Sequence, residues 1–166
     1  MLMEAKSLIK QVENTKEFLE LKEKKQNLFL AHVFAMYDGD KLMDTQVGYY
    51  DNDTKKMSSF LISDDKVQLL PETDVFQKPG SEVKSIAVEK ISLEFDQVKQ
   101  KSEELLSSKY SLTASKKVFI LQTVGDDQVW NITFLTNSFS TINIRVDSVT
   151  SEILKDEVVN LVDFSK

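Results

Sequence analysis

A chain of 166 residues with 41% hydrophobic and 29% charged residues carries enough apolar side chain to bury a core, which excludes intrinsic disorder. The net charge is −6 and Arg145 is the sole arginine, which argues against nucleic acid as a partner: phosphate neutralisation needs a basic face, and base reading favours arginine. With no cysteine, disulfides, thiolate metal sites and cysteine nucleophiles are excluded.

The N-terminal residues Met1 to Lys10 mix charge into their apolar positions and offer no uninterrupted secretory core, and Leu28 to Tyr37 is far shorter than the roughly 20 residues of a membrane helix. The expectation is a cytoplasmic chain with no membrane span. Apolar residues at Leu2, Ala5, Leu8, Ile9, Val12, Leu19 and Leu21 have helical spacing, with Asn14-Thr15 as a point where the helix stops or bends. The segment Gln26 to Tyr37 reads as a strand with Leu28, Leu30, His32, Phe34 and Met36 on one face and Phe29, Ala31, Val33 and Ala35 on the other. Both sets are largely apolar, so this strand is expected to be covered on both faces, buried between two units of the monomer or placed in a homodimer contact.

Asp38-Gly39 supplies a tight turn into a strand over Leu42 to Tyr50. Turns at Asp51 to Thr54 and at Asp64-Asp65 separate further strands, Met57 to Ile62 and Val67 to Leu70. Pro71, Pro79 and Gly80 mark a linker, after which Val83 to Ile91 reads as a short strand and Ser92 as the cap of a helix reaching about Ser107. Val118 to Val124 is then a strand and Gly125-Asp126 a turn. In the closing meander Trp130, Ile132 and Phe134 share one face, as do Ile142, Ile144 and Val146.

Each half therefore runs helix first and then a meander of strands, which predicts an α+β fold of two tandem units, residues 1–78 and 83–166. Gly39-Asp40 and Gly125-Asp126 stand at the same spacing as Val67 and Ile153, as an internal duplication would place them. The run Ile144-Arg-Val-Asp147-Ser-Val-Thr150-Ser151-Glu152-Ile153-Leu154 resembles the closing hairpin of PepSY-type domains, and Val88-Glu-Lys-Ile91-Ser92-Leu-Glu-Phe95 resembles that family's helix entry. Ser151 stands where the family pattern has glycine, and Phe95 and Val98 where it more usually has small residues. The resemblance covers residues 83–154 and implies a non-catalytic helix-on-sheet module.

Few residues offer chemistry. His32 is the single histidine and shares a predicted face with Leu30 and Phe34, so a packed, hydrogen-bonded ring is the expected state rather than a metal ligand or base. Asp51-Asn52-Asp53 begins like a calcium loop, but Lys56 and Ile62 stand at the positions that need glycine and glutamate. Arg145 could hold a carboxylate or phosphate, and a cross-strand ion pair is the expected alternative. Neither a catalytic constellation nor a cofactor motif is present. The sequence therefore points to a non-catalytic module that binds a protein or peptide partner through its sheets, as a monomer or homodimer. The other reading is a small-molecule carrier or enzyme whose pocket lies between helix and sheet, with Trp130, Tyr49 and Tyr50 in its wall.

Overall fold

A computed structural model of the chain describes residues 4–75 and 81–160. Pro79 and Gly80 of the expected linker lie outside the described residues. The fold is α+β and mostly sheet, with helices α1 (Ala5–Glu13), α2 (Lys16–Lys24) and α3 (Phe95–Tyr110). The strands are β1 (Leu28–Asp38), β2 (Lys41–Asp51), β3 (Lys56–Ser63), β4 (Lys66–Leu69), β5 (Thr73–Asp74), β6 (Ala114–Val124), β7 (Asp127–Thr136), β8 (Ser140–Asp147) and β9 (Ile153–Asn160).

All pairings are antiparallel and form one nine-stranded sheet in the order β4-β3-β2-β1-β6-β7-β8-β9, with β5 beside β3. Each meander thus contributes its first strand to the seam, where β1 runs against β6. The helices share one face of this sheet. Phe18 of α2 stacks on Tyr49 and Phe60, and Phe95 of α3 packs on Phe119 and Trp130. Residues of both meanders join a single apolar core, among them Val33, Val47, Phe60, Leu121, Ile132 and Ile144, each fully buried.

The expected helix break falls at Asn14-Thr15. Thr15 caps α2 by accepting the Phe18 N–H and also donates its hydroxyl to the Val12 carbonyl. The cap of α3 is Glu94 rather than Ser92. The Gln97 side chain accepts the Glu94 N–H, while the Glu94 carboxylate accepts the N–H of Ala5 at 2.6 Å, so one residue starts α3 and holds the first turn of α1. Ser92 instead ties its hydroxyl to the carbonyls of Ser148 and Val149 in the turn after β8.

The expected facing of β1 is corrected by a bulge between Leu30 and His32. One extra residue inverts the alternation, so Leu28 and Leu30 join Val33 and Ala35 beneath the helices. His32, Phe34 and Met36 lie on the opposite, outer face. Val33 and Phe29 therefore do not share a face.

The bulge also opens the sheet. Pairing of β1 with β6 begins only at His32, leaving a fork beside Leu30. Residues 83–91, expected as a strand, run through that fork as an irregular segment ending in a turn of 3-10 helix at Val88–Lys90. The Ile86 N–H donates to the Leu30 carbonyl at 3.0 Å and the Thr123 hydroxyl to the Ser85 carbonyl at 2.8 Å. Val83 lies with Tyr50 on the outer face and Ile86 is in the core beneath the helices, so the chain passes from one side of the sheet to the other.

Candidate functional surface

The five residues singled out from the sequence separate onto the two faces. Trp130 is fully buried on the helix face, where its indole N–H donates to the Leu93 carbonyl at 2.7 Å and its ring meets Phe95 edge-on at 4.6 Å. Tyr49 is 2% exposed on the same face, and its hydroxyl donates to a Glu13 carboxylate oxygen at 2.9 Å. Burial and the Glu13 charge push its phenol far above the ordinary range. These rings fill the space between helices and sheet, where the carrier reading requires a pocket.

Tyr50, one residue further along β2, points to the outer face, packs against Phe29 at 5.5 Å and is 1% exposed near the crossing segment at Val83. Tyr49 and Tyr50 therefore cannot line one wall. His32 also faces outward. Its imidazole rests against Gly48, its partner in the β1–β2 register, and burial lowers its pKa. A groove of about 550 Å³ lies beside it, lined by His32, Met57, Val83, Gln122 and Val124.

Arg145 lies on the outer face of β8, opposite Asn131 on β7 and Lys155 on β9. No carboxylate of the described residues stands within ion-pair distance of it, so the expected cross-strand ion pair is absent. Its Nε is shielded from solvent without a hydrogen-bond partner. A bulge between Arg145 and Val146 takes up an extra residue, Leu154, on β9 and leaves Lys155 opposite the guanidinium. Lys155 is held by Glu157 at 3.0 Å.

The outer face is graded. Half-buried Phe34, Met36, Val118 and Ile120 make an apolar centre on the seam strands, and Asn131, Thr133, Asn143 and Arg145 make a polar flank on β7 and β8. Asn143 ties that flank together by donating to Asn131 at 2.7 Å. Period-two alternation in β7 and β8 made this flank readable from sequence, whereas Gly48 was missed. Its signal was a glycine inside a strand, which marks a close approach.

Among the described residues, no group of three His, Asp or Glu side chains could hold a metal ion, and no helix is long and apolar enough to cross a membrane. No family model and no curated protein matches the sequence. Among solved structures, the crystal structure of a "putative lipoprotein" from Clostridium difficile 630 is similar, with 14% sequence identity, 87% of this chain and 91% of that chain covered, and a TM-score of 0.52. That likeness is one of fold.

Proposed function

We propose that the protein is a non-catalytic module of two PepSY-like units that binds a protein or peptide partner on the outer face of its sheet. The observation that carries this reading is the contrast between the two faces. The helix face is closed by Trp130, Tyr49 and the rings around them, while the outer face presents an apolar centre beside an arginine that has no carboxylate at ion-pair distance among the described residues. Extended peptides suit such a surface, with apolar side chains on Phe34 and Ile120 and a carboxylate on Arg145.

Duplication is supported by the seam. Phe34 stands opposite Ile120 in the β1–β6 register, and those two residues are separated along the chain by the same spacing as Gly39 and Gly125. Equivalent strands of two repeats would meet in this way about a local two-fold axis, with both sets of helices on one face.

The experiment is a binding screen of the full chain against a peptide array, repeated with Ile120→Asp and Arg145→Ala. Both substitutions lie on the outer face, so binding should fall while the melting temperature stays near that of the wild type. Turnover on a hydrolase substrate panel that is abolished by His32→Ala or by one carboxylate substitution would overturn the reading.

A further inference from the structure

We infer that β9 is a self-pairing edge, through which a second copy of the chain adds antiparallel about Asp156 and extends the sheet. The two edges of the sheet differ. At one end β4 is only 4 residues long and is followed by Pro71, a combination that blunts pairing. At the other end β9 has 8 residues, and Ile153, Leu154 and Val158 are 37%, 43% and 48% exposed.

Backbone direction decides which groups of β9 are free. The Ser148 N–H donates to Gln128 on β7, and the Asp147 N–H donates to Glu152 across the turn into β9. Backbone groups of successive strand residues point to alternate sides, so Arg145 and Asn143 direct theirs to β9. Their register partners Lys155 and Glu157 direct theirs back, which leaves the N–H and C=O of Asp156 and Val158 pointing away from the sheet. An added strand must bond through those residues.

Few antiparallel registers of β9 on itself meet that condition, and charge separates them. Pairing centred on Lys155 sets lysine against lysine, and pairing centred on Glu157 sets glutamate against glutamate. Centred on Asp156, each Lys155 faces Glu157 of the second copy on the outer face, and each Leu154 meets Val158 of the second copy, both now exposed. The two Asp156 residues then exchange backbone bonds. Their carboxylates are already neutralised, each by Lys109 of α3 at 2.6 Å and by the Tyr110 hydroxyl. The charges that repel an arbitrary strand thereby select a second copy.

The test is sedimentation velocity of the full chain over a concentration series. The wild type should dimerise, and Lys155→Glu or Glu157→Lys should each weaken the dimer roughly tenfold to a hundredfold, because attractive cross-strand pairs become repulsive. The double variant Lys155→Glu/Glu157→Lys restores the complementary pairs and should dimerise like the wild type. An equimolar mixture of the two single variants should form a heterodimer for the same reason. A wild type that stays monomeric throughout overturns the inference, as does a dimer indifferent to both single reversals. If a single variant fails to fold by circular dichroism, the double variant decides: dimer supports the register and folded monomer refutes it.

Discussion

The imidazole of His32 occupies the volume that a side chain on Gly48 would need. A Cβ at position 48 would stand 2.1 Å from Cε1 and 2.4 Å from Nε2 of that ring. Gly48→Ala must therefore drive the ring outward, at a cost of about 1–3 kcal/mol typical of overpacking. His32→Ala removes the obstacle, so the double variant should recover much of the loss. Urea denaturation of the four proteins in this cycle measures the coupling, and strictly additive effects would refute the contact.

Burial also lowers the pKa of His32. The sign follows from linkage: the folded state favours the neutral ring, so its contribution to stability is complete above the ordinary value of about 6.5 and is lost as pH falls through that value towards the folded one. NMR of the single imidazole should show the neutral form persisting below the ordinary midpoint. Gly48→Ala, by pushing the ring into solvent, should return the midpoint towards it.

Trp130 is the only tryptophan and is fully buried, so its fluorescence reports the core alone. The folded protein should emit at short wavelength and resist acrylamide quenching. Trp130→Phe keeps a ring against Phe95 but strands the Leu93 carbonyl, which should cost about 1–3 kcal/mol. Trp130→Ala should cost about 3–5 kcal/mol, read by circular dichroism because the fluorophore is gone.

Acid should destabilise the chain through Glu72, whose carboxyl is held below its usual range chiefly by a hydrogen bond from Lys25, with Lys56 also nearby. A depressed folded pKa gives stability that is present above the unfolded value, about 4.3, and lost as pH falls through the folded one. Lys25→Met should therefore flatten the decline in urea midpoint between about pH 5 and pH 2. An unchanged slope would show that the contact carries no linkage.

What could be read in the sequence depended on whether the alternate residues of a strand differ in polarity. In β7 and β8, Trp130, Ile132, Ile142 and Ile144 alternate with Asn131, Thr133, Asn143 and Arg145, so both the buried and the open face were legible. In β1 both sets are apolar, and nothing in the composition marks a bulge at Ala31. Residues 83–91 have the apolar content of a strand, but the fork beside Leu30 leads them through the sheet instead, a consequence of tertiary pairing that local propensity does not carry. The position of Arg145 on the outer face was legible and Lys155 as its neighbour on β9 was not, because the extra residue Leu154 sets which side chain stands opposite.

The bulge in β1 makes the sharpest prediction about the fold. Without it, Val33 would lie on the opposite face from Leu28 and Leu30; with it, Val33 is fully buried on theirs, beneath the helices and beside Leu121 and Val47 in the two registers. Met36 sits half-buried on the open face three residues later. Lysine at position 33 would be an unpaired charge in the core, so Val33→Lys should cost more than about 3 kcal/mol or prevent folding. Lysine at position 36 can lay its stem along Val118 and keep its ammonium in water, so Met36→Lys should cost less than about 1.5 kcal/mol. Thermal melts of the two variants, monitored by Trp130 fluorescence, make the comparison. A stable Val33→Lys beside an unfolded Met36→Lys would put the strand in the unbulged register.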